Sequence, residues 1–149
     1  MRRMTGSGEN APFILIAEDN ADDRLLLQYA FRSARLPNRY HIVSNGAEAI
    51  TWLSAAMEQP PNPTYPAPGL LVLDIQMPYK TGLEVLEWVR SQPSYHSMPV
   101  VIMSGLRTPE MIERALSLGA RSYLFKPGDY SELTQFIQDF NLMQTVISR

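Results

Sequence analysis

Five residues share one local setting: Glu18, Asp19, Asp74, Ser104 and Lys126 each stand at or just past the end of a short apolar run. Oxygen donors with no thiolate or imidazole at hand select a hard divalent cation, Mg²⁺ or Mn²⁺, that keeps several waters. Carboxylates brought close together push one another toward protonation unless a cation sits among them. A cation, a carboxylate free to attack and a lysine suit capture of a phosphoryl group, where catalysis lies in aligning the nucleophile and neutralising the equatorial oxygens. Asp74 would attack, the ion and Lys126 would hold the phosphoryl oxygens, and Ser104 would donate a hydrogen bond. The chain has no cysteine, and its two histidines, His41 and His96, lie in different segments, which disfavours a histidine pair as ligands or catalysts. An aspartyl phosphate is then the natural covalent product. The bland alternatives are an Asp that merely starts a turn and an acidic edge that is only solvated.

These residues meet only if the fold brings them together. Leu70-Leu71-Val72-Leu73, too short for a helix and flanked by polar or Gly/Pro stretches, reads as a strand buried on both faces, with Asp74 at its end. Phe13 to Ala17, Tyr40 to Val43, Pro99 to Met103 and Ser122 to Phe125 read as four more strands. Helical spacing follows each strand: 22–33 (stripe Leu26, Leu27, Ala30, Phe31, Ala34), 47–57 (Ala49, Ile50, Leu53), 83–91 (Leu83, Leu86, Val89), 109–118 (Ile112, Ala115, Leu116), and a last helix capped by Ser131 (Leu133, Phe136, Ile137, Phe140, Met143, Ile147). Pro109 suits a first helical position, and Gly119 a stop. Five β-then-α units predict an α/β fold: a doubly wound, five-stranded parallel sheet with helices on both faces. All strand carboxyl ends then lie on one rim, where the five residues converge.

The 149 residues fit a single domain over 12–149, after a loose leader at 1–11. Thirteen basic against fifteen acidic residues, scattered and summing to −2, give no footprint for nucleic acid. The absence of cysteine removes disulfides and thiolate sites, and neither a signal peptide nor a membrane-length apolar run is present, so a cytoplasmic protein is expected. Five prolines between Gln59 and Gly69 rule out helix or central strand there and mark an insert in the loop.

With these elements in order, the chain resembles the receiver domain of two-component response regulators from about Phe13 to Phe140, with its flavodoxin-like fold. The resemblance rests on Glu18-Asp19, on Asp74 within Leu-Asp-Ile-Gln-Met-Pro, on Ser104-Gly105, and on Gly119-Ala-Arg-Ser-Tyr-Leu-Phe-Lys-Pro127. It implies that a histidine kinase passes a phosphoryl group from phosphohistidine to Asp74, with Mg²⁺ on Asp19, Asp74 and the backbone carbonyl of Gln76, and Glu18 acting through a metal-bound water. It implies that Ser104 moves toward the phosphoryl group, that Tyr123 swings inward, and that the fourth helix, fifth strand and fifth helix form the switching face. It also implies a cis peptide at Lys126-Pro127.

Two departures stand out. The proline-rich insert, with Leu36 to Val43 and the helix after it, is similar to the stand-alone regulators that pair with bacteriophytochrome-type or hybrid kinases. Ser104 stands where the family often has threonine, which keeps the hydroxyl, while Gln76 and Leu106 flank the site and bear on phosphate lifetime. No output module follows the last helix, so the effect is expected to pass through contacts. Leu25 and Tyr29 fall off the first helix's stripe and Met111 and Leu118 off the fourth's, as do Leu142 and Val146 in the last; these are candidates for partner docking or a homodimer. The competing functions are an aspartyl-nucleophile phosphohydrolase, which lacks a second acid at Gln76, a flavodoxin-like cofactor module, which lacks a phosphate loop after the first strand, and a degenerate receiver serving as a scaffold.

Overall fold

The structure, a computed structural model, describes residues 11–126, 128 and 130–147, apart from the side chains at 146 and 147. The strands are β1 (Ile14–Ala17), β2 (Tyr40–Val43), β3 (Leu70–Asp74), β4 (Val100–Ser104) and β5 (Ser122–Phe125). They alternate with α1 (Ala21–Ser33), α2 (Gly46–Ala56), α3 (Gly82–Ser91), α4 (Pro109–Ser117) and α5 (Ser131–Ile147), and a short 3₁₀ turn, Pro93–Tyr95, precedes β4. All neighbouring strands are parallel, in the order β2-β1-β3-β4-β5. The flavodoxin-like architecture expected from the five units is therefore present.

Strand side chains alternate between two cores, as the pleat requires. Leu15, Leu71, Leu73 and Ile102 join Ala49, Leu86 and Ala115 of α2, α3 and α4, while Ile14, Ile16, Val72 and Val101 join Leu27 of α1 and Leu133 of α5. This two-sided burial is why the strands read as unbroken apolar runs. Register then sets the rim: Ala17 pairs with Leu73, Asp74 with Met103, and Ser104 with Phe125, so Glu18 and Lys126 each follow a strand end directly.

The helix stripes need correction. In α1 the buried residues are Leu27, Ala30 and Phe31, whereas Leu26 is 47% exposed. In α2, Trp52 is buried beside Ala49 and Leu53. In α4, Met111 and Leu118 are partly buried against the core and Leu116 is 47% exposed, so the face in use is 111, 115 and 118. Met143 of α5 is exposed rather than inward, whereas Leu25 and Tyr29 are exposed as anticipated, each at 65%.

The proline-rich insert carries no helix or strand, and its peptide Gln59–Pro60 is cis. Lys126-Pro127, for which a cis bond is expected, involves Pro127 and lies outside the described residues, as does the leader up to residue 10. The insert is anchored by Trp52, whose Nε1 donates to the Pro66 carbonyl at 3.0 Å while its ring meets Tyr65 edge-on at 5.0 Å and stacks on His41 at 4.6 Å. Both ends of the insert lie at the amino-terminal rim of the sheet, where the Gly69 N–H donates to the Phe13 carbonyl.

Candidate functional site

Glu18, Asp74 and Lys126 meet at the carboxyl rim. The Lys126 ammonium donates to Glu18 Oε1 at 2.8 Å, to Asp74 Oδ2 at 3.2 Å and to Asp23 Oδ2 at 3.1 Å. One carboxylate oxygen each from Glu18, Asp19 and Asp74 lie within 4.8 Å of one another, with Glu18 and Asp74 buried and Asp19 exposed. Three close oxygen donors of this kind fit a hard divalent cation with water completing its shell. The remaining predicted ligand, the Gln76 carbonyl, belongs to a loop held at the site by its own N–H, which donates to Asp74 Oδ1 at 3.2 Å.

Local sequence explains the geometry. Asn20 caps α1, accepting from Asp23 N at 2.9 Å, and its own N–H donates to Glu18 Oε2 at 3.1 Å. Arg24, one residue further on, donates to the carbonyls of Glu18 at 3.0 Å and Asp19 at 2.9 Å, fixing the acidic pair against the first helical turn. On the other side, Thr81 and Glu84 form a reciprocal capping box that starts α3 directly after the Asp74 loop. Gly82 lets that loop close: a Cβ there would be driven into the Asp74 carbonyl oxygen.

Electrostatics at the rim are unbalanced. Burial pushes the Asp74 carboxyl above its ordinary range and Asp19's charge adds to this, although the Lys126 charge and hydrogen bond and the Gln76 N–H act the other way. Burial likewise raises Glu18 against the opposing pull of Lys126 and the Asn20 N–H. For Lys126 burial favours the neutral amine, but the hydrogen bond to Glu18 and the charges of Asp74 and Glu18 outweigh it and keep the ammonium protonated. One lysine cannot compensate the burial of two carboxylates, and a second cation among them would relieve the excess.

Ser104 is fully buried at the end of β4, and its Oγ accepts from Leu106 N at 3.1 Å. The Leu106 carbonyl in turn accepts from the Tyr123 hydroxyl at 2.8 Å, and the half-buried Tyr123 ring packs beside Phe125 at 5.5 Å. Ser104 and Tyr123 are thus joined through the two polar groups of one loop residue. Sequence reasoning missed Asp23 and Arg24. Acidic residues in a first helical turn are also what the helix dipole favours, so Asp22 and Asp23 carry no separate signal. The histidines stay apart from the rim: His41 stacks on Trp52, and His96 Nδ1 faces the Arg90 carbonyl.

The sequence matches the response regulator receiver domain family over residues 14–138. It is 30% identical over 128 residues to the two-component response regulator ORR11 of Oryza sativa subsp. indica, spanning 86% of this chain and 80% of that protein. The phosphorylated cyanobacterial phytochrome response regulator RcpA has a similar structure, with a TM-score of 0.72 at 29% identity over 87% of this chain and 91% of the other. So does the Mn²⁺-bound form of Rcp1, with a TM-score of 0.72 at 25% identity and the same coverage; Rcp1 is a response regulator of Synechocystis. No helix among the described residues is long and apolar enough to cross a membrane. With the parallel sheet, the acidic rim and this match over most of its length, the chain belongs to the receiver domain family of two-component response regulators.

Proposed function

We propose that Asp74 accepts a phosphoryl group from the phosphohistidine of a histidine kinase and that the modified rim resets a protein-binding face. The observation that carries this reading is the buried Asp74 carboxylate, held by Lys126 at 3.2 Å beside the oxygens of Glu18 and Asp19. An Asp74 oxygen bonds to phosphorus as the phosphorus–nitrogen bond breaks, and the departing imidazole keeps the electron pair and takes up a proton. Asp19, Asp74 and the Gln76 carbonyl would hold Mg²⁺, with Glu18 reaching it through water; the ion supplies charge neutralisation at the phosphoryl oxygens, and Mn²⁺ can serve in its place. Lys126 holds another phosphoryl oxygen, and Ser104 donates its hydroxyl hydrogen to a third. The same groups favour later attack by water on the acyl phosphate, so the protein assists its own phosphorylation and dephosphorylation.

The connection to the surface runs through Leu106. Turning toward a phosphoryl oxygen, Ser104 gives up the Leu106 N–H, and the loop that also accepts the Tyr123 hydroxyl is released. Tyr123 then moves further inward, and the face of α4, β5 and α5 changes shape. Leu116 on α4 and Leu142 and Met143 on α5 are the exposed apolar residues there, suited to a target or to a second copy of the chain. Leu25 and Tyr29 on α1 offer a separate surface beside the acidic rim for the kinase, and the likeness to the phytochrome response regulator RcpA favours one of phytochrome type.

Incubation with acetyl phosphate and Mg²⁺, read by intact mass, tests the proposal. Wild type gains one phosphoryl group, while D74N and chelator-treated protein gain none. An unmodified wild type overturns the reading.

A further inference from the structure

Lys126 has a partner that stands outside the candidate metal-ligating set. Its ammonium contacts Glu18 and Asp74, two of the three carboxylates of that set, and also Asp23 Oδ2 at 3.1 Å. The Lys126 side chain is only 13% exposed, so solvent offers it little alternative hydration. Tyr130, itself buried, borders Lys126, Asp23 and Glu18 and closes the cluster on that side. A divalent cation entering among Glu18, Asp19 and Asp74 competes with the ammonium for the charge of Glu18 and Asp74 and repels it. The ammonium must then shift within a nearly closed space, and Asp23 is the carboxylate already in contact with it. Asp23 is well fixed to receive it, because its backbone N–H is held by the Asn20 cap and it sits in the first turn of α1, where the helix dipole favours a negative charge.

We propose that Asp23 is a positioning residue that holds the Lys126 ammonium when a divalent cation occupies the rim, so that lysine and metal coexist there. This rests on the reading of Glu18, Asp19 and Asp74 as a cation site. Without Asp23, Lys126 stays bound to Glu18 and Asp74, and the metal must displace it with no carboxylate to receive it. Asp23 thereby keeps Lys126 beside the rim, ready for the oxygens of an arriving phosphoryl group.

The test is Mg²⁺ affinity of the full chain, followed by calorimetry and by backbone amide shifts. D23N is expected to bind Mg²⁺ about tenfold more weakly than wild type, and D22N, an exposed charge on the same turn, no more than about twofold more weakly. D23E restores affinity to within about threefold of wild type, because a carboxylate again reaches the ammonium. On a K126Q background, D23N loses no more than D22N does. Equal losses in D23N and D22N overturn the proposal, as does a D23N loss that persists undiminished with K126Q, which would make Asp23 a simple field effect. A wild type that binds no Mg²⁺ removes the cation site itself, and this inference with it.

Discussion

Removing the charge at Asp74 is expected to stabilise the metal-free protein, although it also removes the proposed phosphoryl acceptor. Three carboxylates, Glu18, Asp23 and Asp74, share Lys126, Asp19 lies beside two of them, and Asp74 is 5% exposed. Burial raises its folded-state pKa above the ordinary 3.8, so the ionised form costs stability in the folded chain. That cost is absent below the ordinary carboxylate value, appears as pH rises through it toward the raised folded value, and is complete above the latter. Asn keeps one oxygen, enough for the Gln76 N–H at Oδ1, and sheds the charge, while Lys126 retains Glu18 and Asp23 as partners. Shedding a buried charge that one shared lysine does not fully compensate is expected to gain D74N about 1–2 kcal/mol at pH 7 in chelator. For a chain of this size that is a rise of about 3–6 °C in Tm. The assay is urea and thermal denaturation of both proteins at pH 7 and at about pH 3.5, with chelator and with Mg²⁺. The gain should vanish at the acid end and shrink on adding Mg²⁺, because only the wild type keeps its full ligand set. A D74N protein no more stable than wild type at pH 7, or one whose gain is unchanged in acid, would refute the reasoning.

Three further outcomes are expected. Y123F removes the hydroxyl that donates to the Leu106 carbonyl and should cost about 1 kcal/mol in urea denaturation, with faster amide exchange around Leu106. R90A withdraws a guanidinium that donates to the carbonyls of Leu118, Gly119, His96 and Met98, joining α3 to the end of α4 and the approach to β4; a loss of about 2–3 kcal/mol is expected, well above that of an ordinary surface arginine. G119A places a side chain at φ +91°, with its Cβ 2.8 Å from Arg90 Nε, and should lower stability by about 1–3 kcal/mol in the same assay.

The rim is legible in the sequence because it depends on strand ends, and buried parallel strands announce themselves as short apolar runs between polar stretches. Leu70 to Leu73 and the residue after them locate Asp74 without any knowledge of its neighbours. Helix faces are less legible. In the nine-residue α4, the sets 112, 115, 116 and 111, 115, 118 fit a helical period almost equally, and only docking on the sheet decides that Met111 and Leu118 go inward while Leu116 faces out. Leu26 is ambiguous for the same reason, since it and Leu27 border one stripe. Asp23 is invisible in the sequence because its role comes from a lysine 103 positions away. The anchoring of the insert by Trp52 is hidden likewise, since an indole at helical spacing gives no hint of the carbonyl it will meet.

The proline-rich connection leaves and rejoins the sheet on the side remote from the acidic cluster, pinned by Trp52 Nε1 at Pro66 and by Gly69 at Phe13. Its middle, Thr64 and Tyr65, lines a cavity with Tyr79 of the loop after Asp74, whereas Gln59 to Pro61 are exposed. Foreign sequence spliced between Gln59 and Asn62, such as an affinity tag or a tether to another domain, would enter at exposed residues away from the reacting groups, which makes this stretch the natural attachment point.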